Sequence, residues 1–199
     1  MTDPDPYDTH AGWWHARRDI TPGERDALAL LTRTLAPGDR LLDLGCGSGT
    51  TAAHFTTQYP DMGFHVTGLD RSPAMLSIAR EHAPDAAFIH ADIRDLPSLE
   101  PFHAIISWDG FFHLTQPEQR AALPRILALL KPRARLLLTV GPDAGDVIGQ
   151  VNGESVHHSS LSAEEYATIF AASGVSILLF SPENASVGGR TLLLAEKTF

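Results

Sequence analysis

Hydrophobic and polar residues alternate in blocks along this chain, and the spacing of the hydrophobic residues changes from block to block. Short, nearly continuous apolar runs that end near Gly, Asp or Ser predict buried β-strands. Segments with apolar residues every three or four positions predict helices that bury one face. The predicted strands cover residues 41–44, 64–69, 86–90, 104–108, 135–140, 176–180 and 191–196. The predicted helices cover residues 22–36, 50–58, 73–82, 116–130 and 163–173.

Strands that alternate with helices predict an α/β fold. The expected architecture is a doubly wound, seven-stranded, mainly parallel sheet of Rossmann-like type, with helices on both faces. Only about ten residues, among them Pro182 and Gly188, separate the last two strands. A parallel pair needs a crossover of about a dozen residues or more, usually helical. The final strand should therefore run antiparallel, in a C-terminal hairpin at the end of the sheet.

Two segments do not follow this alternation. Residues 1–20 have few helix-periodic apolar positions but include Trp13 and Trp14, which suit an arm packed on the core and a lid over a site equally well. Residues 141–160 are rich in glycine and show no clear periodicity, so they predict a long loop on the substrate side. Long loops in compact domains are usually functional or disordered.

A glycine-rich turn joins the first predicted strand to the next helix. Three glycines stand on alternate positions, Gly45, Gly47 and Gly49. Glycine permits left-handed backbone and close approach of a ligand, and the helix start that follows favours a negatively charged group. In the dinucleotide fingerprint the third glycine comes three residues after the second, whereas here it comes after two. An ordinary strand-to-helix loop remains an alternative for this motif alone.

Aspartates accompany three successive strands. Asp43 lies within the first strand, Asp70 ends the second and Asp92 follows the third. Open α/β sheets bind their ligands beyond the carboxyl ends of the strands. Asp70 comes about 20 residues after the glycine turn, where a carboxylate can accept both hydroxyls of a ribose. Strand-end aspartates also serve as plain turn or cap residues.

Composition narrows the class of protein. The 199 residues suit one domain, and the net charge of −9 disfavours a nucleic-acid partner, which needs a basic face. The acidic, proline-rich start does not resemble a signal peptide, and no apolar run approaches the roughly 20 residues that span a bilayer. Cys46 is the only cysteine, which suits a reducing cytoplasm. We expect it to be a small residue that fills the glycine turn rather than a nucleophile. We therefore expect a cytoplasmic protein that binds neither nucleic acid nor membrane.

Taken together, these features resemble the class I S-adenosylmethionine-dependent methyltransferases. The resemblance covers about residues 25–199 and rests on Asp43-Leu-Gly-Cys-Gly-Ser-Gly49, Gly68-Leu-Asp70, Ala91-Asp92-Ile93, Ile105-Ile-Ser-Trp-Asp109, Leu130-Lys-Pro132 and the terminal hairpin. Segments 108–114, 151–154 and 160–166 are similar to a group of small, single-domain bacterial enzymes. One departure is Arg133-Ala134, where such proteins often carry Gly-Gly before the fifth strand.

The resemblance implies S-adenosylmethionine as cofactor and S-adenosylhomocysteine as product. It places the glycine turn and Asp43 at the methionine part, Asp70 at the ribose, Asp92 at the adenine and Trp108 beside the sulfonium. Met75 suits either the adenine pocket or the helix core. The full set of implied cofactor residues is Asp43, Gly45, Cys46, Gly47, Asp70, Arg71, Met75, Asp92, Ile93 and Trp108.

The expected reaction is in-line methyl transfer to a small-molecule acceptor, in which the protein places the nucleophile and excludes water. His113 follows the fourth strand and is the candidate general base. The other acceptor-side candidates, as rival bases or parts of a lid, are Trp13, Trp14, His157, His158 and Tyr166. Each histidine also suits an ordinary structural or surface role. No spacing suggests a metal site.

Two other functions stay open at this point. A non-catalytic methyltransferase-like domain that binds the cofactor or a partner would carry the same motifs. A nicotinamide-dependent oxidoreductase is opposed by the glycine spacing and by the terminal hairpin. A substrate that is a nucleic acid or protein is less favoured, because Ser107-Trp-Asp-Gly110 differs from the Asn/Asp-Pro-Pro-Tyr/Phe signature of many such enzymes. We expect a monomer or a homodimer.

Overall fold

The computed structural model describes residues 5–199 and is built around one seven-stranded sheet. The strands are β1 (Arg40–Leu44), β2 (His65–Asp70), β3 (Ala87–His90), β4 (Phe102–Ser107), β5 (Leu130–Val140), β6 (Gly145–Val151), β7 (Glu154–Ser160), β8 (Val175–Asn184) and β9 (Arg190–Lys197). The sheet has the order β3-β2-β1-β4-β5-β9-β8, and β6 pairs only with β7. This order confirms the predicted α/β sheet.

Helices cover both faces of the sheet. They are α1 (Pro6–Thr9), α2 (Ala11–His15), α3 (Pro22–Thr32), α4 (Thr50–Gln58), α5 (Pro73–His82), α6 (Gln116–Ala128) and α7 (Ala163–Ala172), with 3-10 turns at Pro60–Met62, Phe111–His113 and Ala185–Val187. Side chains of α6 and α7 pack in one core cluster, and those of α3 and α4 pack in the other. Along β5, Leu136 and Leu138 enter the first cluster while Leu137 enters the second. A strand buried on both faces therefore reads as a continuous apolar run.

The directions of the C-terminal strands agree with the short connection between them. The pairs β1–β2, β2–β3, β1–β4 and β4–β5 are parallel, whereas β9 is antiparallel to both β5 and β8. This confirms the antiparallel final strand. It lies one position in from the edge, however, because β8 occupies the edge and the tight link through Gly188 and Gly189 turns the chain back inside it.

The long loop predicted for residues 141–160 is wrong. The segment forms the antiparallel hairpin β6–β7, whose turn has Asn152 at φ 47° and Gly153 at φ 85°. Both positive values are those of a type I′ turn, for which Asn-Gly is the preferred sequence. The alternation in β6 was hidden because Val147 and Ile148 are adjacent, apolar and both largely exposed.

The N-terminal segment is helical where the structure describes it. Residues 5–16 form α1 and α2, which lie against α5, while residues 1–4 of the predicted arm fall outside the described residues. Asp5 accepts a hydrogen bond from the backbone N–H of Tyr7 and so caps α1. From residue 5 to residue 199, none of the helices combines the length and the apolar character needed to cross a membrane.

Candidate active site

A pocket opens beyond the carboxyl ends of β1, β2, β3 and β4, the place where open α/β sheets bind ligands. Its empty space is about 970 Å³ with the open mouth included. The floor is formed by the turn between β1 and α4. Tyr7 of α1 and Trp14 of α2 contribute to the opposite wall.

The glycine turn is shaped by backbone that only glycine adopts easily. Gly45, Gly47 and Gly49 have φ values of 72°, 52° and 77°. The N–H groups of Gly45 and Cys46 donate to the carbonyl of Leu69 at 2.8 and 3.0 Å, which fixes the turn to β2. No atom lies within 4 Å of the position that a Cβ on Gly47 would take. The backbone at Gly47 is therefore open to the pocket.

Asp43 is a buried carboxylate that lacks a partner. Its side chain is 2% exposed, and Oδ2 finds no hydrogen-bond partner among residues 5–199. Burial raises the pKa of Asp43 to about 7, although the positive charge of Arg18 works against the rise. Because buried polar groups are normally hydrogen-bonded, such an atom in a pocket marks a place for a donor or cation from a ligand.

Asp70 holds the pocket wall together. Its Oδ2 accepts from the N–H of Gly47 at 2.8 Å, and its Oδ1 accepts from the N–H of Ser72 at 2.9 Å. Burial raises the pKa of Asp70, and the two N–H groups oppose that rise. Each carboxylate oxygen can accept about two hydrogen bonds, so both keep a free lone pair.

Asp92 is bound by a neighbouring arginine. The N–H and Nε of Arg94 donate to Oδ1 at 2.8 and 2.9 Å, and Nη2 donates to Oδ2 at 2.5 Å. The hydrogen bonds from Arg94 lower the pKa of Asp92. Of about four acceptor positions on the carboxylate, one stays free for a ligand amine.

The segment after β4 brings an aromatic and an acidic side chain to the pocket. Trp108 is 6% exposed, and its Nε1 has no hydrogen-bond partner in the described chain. Asp109 adopts a left-handed backbone with φ 57°, and its N–H donates to Oγ1 of Thr139 at 2.8 Å. Arg190 of β9 binds both oxygens of Asp109 at 2.7 to 3.0 Å. The C-terminal hairpin thereby fixes the carboxylate of Asp109.

His113 is held between two groups. Its Nδ1 lies 3.1 Å from the carbonyl oxygen of His157, and its Nε2 lies 2.8 Å from the hydroxyl of Tyr7. Burial lowers the pKa of His113 to about 4, so the ring is neutral at pH 7. A neutral ring facing a carbonyl must carry its proton on Nδ1, which leaves Nε2 as the acceptor for Tyr7.

Carboxylates fix the N-terminal helices over the pocket. Asp5 pairs with Nε of Arg71 at 2.8 Å. Asp8 accepts from the hydroxyl of Ser72 at 2.7 Å and from the N–H of Ala74 at 3.0 Å, at the start of α5. These contacts bind α1 to the same segment that carries Asp70.

A second contact joins the N-terminal helices to the hairpin. His10, between α1 and α2, pairs through Nε2 with Glu154 at 2.7 Å, and its Nδ1 lies 3.1 Å from Nδ2 of Asn152. The N-terminal helices and the β6–β7 turn are therefore in direct contact.

Known proteins match this chain in sequence and in fold. A family model described as a methyltransferase domain matches residues 41–133. A trans-aconitate 2-methyltransferase from Methylobacterium nodulans is 32% identical over 171 residues, which are 81% of this chain and 60% of that protein. The amino pentose methyltransferase CalS10 from Micromonospora echinaspora, solved with S-adenosylmethionine, has a TM-score of 0.71 at 22% identity, and each chain covers all of the other. The 1,6-didemethyltoxoflavin-N1-methyltransferase of Burkholderia thailandensis, solved with S-adenosylhomocysteine, has a TM-score of 0.68 at 21% identity over 97% of this chain and 87% of that one.

These matches support a class I S-adenosylmethionine-dependent methyltransferase domain. The structural neighbours share the methyltransferase fold. The chain spans about half the length of the curated relatives it matches.

All ten residues predicted for the cofactor line this one pocket, as do His113 and Trp14. Their contact with a cofactor stays a prediction. Trp13, His157 and His158 do not line it. The backbone of His157 nevertheless holds His113, and the ring of His158 packs 4.8 Å from that of His113.

Tyr166 is wrongly predicted as an acceptor-side residue. Its side chain is 0% exposed in the core beneath α6 and α7, and its hydroxyl donates to Oε1 of Gln119 at 2.8 Å. Burial raises the pKa of Tyr166 to about 12. A group this buried, outside the pocket, reaches no acceptor.

Sequence reasoning missed several residues of the pocket. Tyr7 lies 106 positions from His113, and Asp109 lies 81 positions from Arg190, so no local pattern links either pair. Arg18 also lines the pocket, and its partner Glu24 stands outside it, where Thr21 to Glu24 has the form of a helix capping box. Only the Thr21 half forms, and the carboxylate of Glu24 pairs with Arg18 instead. Among residues 5–199, no group of three or more His, Cys, Asp or Glu side chains is arranged to hold a metal ion.

Proposed function

We propose that this chain transfers a methyl group from S-adenosylmethionine to a small-molecule acceptor and releases S-adenosylhomocysteine. The observation that supports this most strongly is the convergence of all ten predicted cofactor residues on one pocket beyond the carboxyl ends of the parallel strands. Strands, turns and helices from residue 43 to residue 108 supply them, and this range lies wholly within the matched family domain, residues 41–133.

The residues of the pocket fit the cofactor by their chemistry. The unpartnered carboxylate of Asp43 suits an ammonium group, and the free lone pairs of Asp70 suit two ribose hydroxyls. Asp92 keeps one acceptor position for an adenine amino group, beside the buried Ile93 and Met75. The open space at Gly47 lets a ligand contact the backbone where a side chain would block it.

When bound, the cofactor supplies an electrophilic methyl group on a good, neutral leaving group. The protein has to hold the nucleophile in line and keep water out. Trp108 offers an aromatic face near the reacting end, where it favours positive charge. We propose that α1, α2 and the β6–β7 hairpin form the cover. Tyr7 and Trp14 of the two helices line the pocket, and His10 joins the helices to the hairpin.

The named relatives and neighbours all act on small molecules: trans-aconitate, an amino pentose and a didemethyltoxoflavin. This supports a small-molecule acceptor here. The net charge of −9 argues against a nucleic-acid substrate, and the single cysteine suits the cytoplasm of a bacterial cell. We propose a single domain that works as a monomer or homodimer.

Turnover separates this function from a non-catalytic binding domain. The purified chain is incubated with S-adenosylmethionine and a varied set of small amines, alcohols and acids, and S-adenosylhomocysteine is quantified. We expect acceptor-dependent product, which His113→Ala slows while affinity for the cofactor is kept, because the histidine lies on the acceptor side. Cofactor binding without turnover of any compound would favour the binding domain.

A further inference from the structure

Tyr7 lines the pocket, and its hydroxyl oxygen can only accept a hydrogen bond from a molecule bound there. His113 carries its proton on Nδ1, against the carbonyl oxygen of His157 at 3.1 Å. Its Nε2 can then only accept, so the hydroxyl of Tyr7 donates its single proton to that atom at 2.8 Å. Toward the pocket, Tyr7 is left with oxygen lone pairs and no proton. A bound molecule must therefore bring the hydrogen to this oxygen.

Negative charge dominates around this oxygen. Asp109 and Asp5 both raise the pKa of Tyr7 through their charge, in addition to the larger effect of burial, and Arg71 opposes them. Arg71 is itself paired with Asp5. The ring of Trp14 packs edge-on against Tyr7 at 5.5 Å. Such surroundings favour a donor whose hydrogen carries partial positive charge, and they also favour positive charge that develops on the donor nitrogen.

The arginines of the pocket already have carboxylate partners. Of those lining it, Arg18 pairs with Glu24 and Arg71 with Asp5, while Arg94 pairs with Asp92. Arg190, behind Asp109, is likewise engaged through both carboxylate oxygens. An acceptor with carboxylate groups would have to share an arginine that already faces a protein carboxylate, or break one of these pairs. Breaking the pair of Arg18 would leave Glu24, only 3% exposed, as a buried charge.

We propose that the methyl acceptor is a small primary or secondary amine, that Tyr7 selects it by accepting its N–H, and that polycarboxylates are excluded. This rests on the proposed methyl transfer and names its substrate class. A neutral amine that donates one N–H to Tyr7 keeps its nitrogen lone pair free to attack. The N–CH3 bond would form as the S–CH3 bond breaks, the thioether would leave neutral, and the positive charge would pass to the amine nitrogen, which then loses its extra proton to water. A tyrosine that donated its own proton would bind that lone pair instead. His113 is a positioning residue, because it holds the proton of Tyr7 away from the amine.

The substrate class is tested with matched acceptors. Binding of S-adenosylmethionine is first measured by calorimetry, and its absence would refute the proposed function. Ring and sugar scaffolds, each as amine, alcohol and carboxylate, are then assayed with trans-aconitate by mass spectrometry. We expect kcat/KM for amines at least about tenfold above the matched alcohols, and no methylated carboxylate. Cofactor binding with preference for alcohols or carboxylates, methylated trans-aconitate, or no methylated amine would overturn the amine assignment alone.

The role of Tyr7 is tested by removing its hydroxyl. Tyr7→Phe should raise KM for the amine about tenfold, the effect of one lost hydrogen bond to a polar ligand, while the Kd for S-adenosylhomocysteine stays within about twofold. Tyr59→Phe makes the same substitution outside the pocket and should change neither. An unchanged KM for the amine in Tyr7→Phe would refute the contact.

The role of His113 has a separate readout. In His113→Ala the proton of Tyr7 is free to turn toward the acceptor, so the preference for amines over matched alcohols should fall at least about fivefold. Glutamine presents an oxygen near the position of Nε2, and His113→Gln should restore most of that preference. A selectivity ratio that is equal in the wild type and in His113→Ala would show that the histidine does not set the polarity of Tyr7.

Discussion

At the scale of single residues, Asp43 shows how a binding site differs from a packed core. Its carboxylate is buried among apolar neighbours on β1, yet one oxygen has no hydrogen-bond partner among the described residues. A buried charge of this kind costs stability. The fold tolerates it at a position where a cationic group of the cofactor would satisfy it.

Replacement of Asp43 should therefore stabilise the free protein. The pKa of Asp43 is about 7 in the folded chain, whereas its ordinary value is 3.8. As the pH rises between these values the unfolded chain loses the proton first, so stability falls. At pH 8, Asp43→Asn should gain about 2 kcal/mol, roughly 4–8 °C in Tm, while affinity for S-adenosylmethionine drops.

The gain from Asp43→Asn should shrink at pH 5, where the folded wild type holds the proton. Asp85→Asn, an exposed position after α5, serves as the control and should leave Tm nearly unchanged at both pH values. A gain of the same size at pH 5 and pH 8, or a loss of stability at pH 8, would contradict an ionised Asp43.

Single residues also show which parts of the site could be predicted from the sequence and which could not. Asp43, Asp70 and Asp92 could be found because each stands at a fixed place relative to a strand and the glycine turn. Other contacts of the pocket could not be found in this way. Arg94 is two residues from its partner Asp92, but Tyr7 meets His113, and Arg190 meets Asp109, only through the tertiary fold.

At the scale of elements, the turn between β1 and α4 makes the pocket floor. Gly45 approaches the backbone of Gly110 so closely that a Cβ on Gly45 would lie 3.2 Å from the Cα of Gly110. Gly47 instead faces open space, with φ 52°. The turn thus combines one position needed for packing with one needed for access.

Two alanine variants separate the effect of blocking ligand access at Gly47 from the effect of backbone strain. Gly63 has nearly the same backbone, with φ 53°, also faces open space and lies outside the pocket. Gly47→Ala and Gly63→Ala should each cost about 1 kcal/mol of stability through the strain of a left-handed alanine. Only Gly47→Ala should weaken binding of S-adenosylhomocysteine, by at least about tenfold. Equal affinity in both variants would show that Gly47 does not face the cofactor.

Elements with a strong period were predicted well, and weakly patterned ones were not. The β–α alternation from β1 to β5 follows from apolar runs and helix caps such as Ser72, whose hydroxyl accepts from the N–H of Met75. The β6–β7 hairpin was missed although Asn152-Gly153 is a strong turn signal, because its strands lack a clean alternation. In α1 and α2, helices of four and five residues are too short to show a period.

At the scale of the whole molecule, the strand order brings the residues of the pocket together. The strands β2 and β4 flank β1, so the chain leaves β1 on one side and returns on the other, which opens a crevice at their carboxyl ends. The C-terminal hairpin supports this crevice through the contact of Arg190 with Asp109, and the N-terminal helices reach it through Tyr7. Segments distant in sequence therefore share one pocket.

The central claim is that this pocket binds S-adenosylmethionine, and calorimetric titration of the whole chain tests it most directly. S-adenosylmethionine and S-adenosylhomocysteine should bind with micromolar Kd and NADH should not bind. Asp70→Ala should weaken both sulfur compounds by at least about tenfold, because it removes a charged acceptor of two hydroxyls, whereas exposed Asp85→Ala should match the wild type. Binding of NADH alone, or full affinity in Asp70→Ala with its fold intact by circular dichroism, would contradict the account.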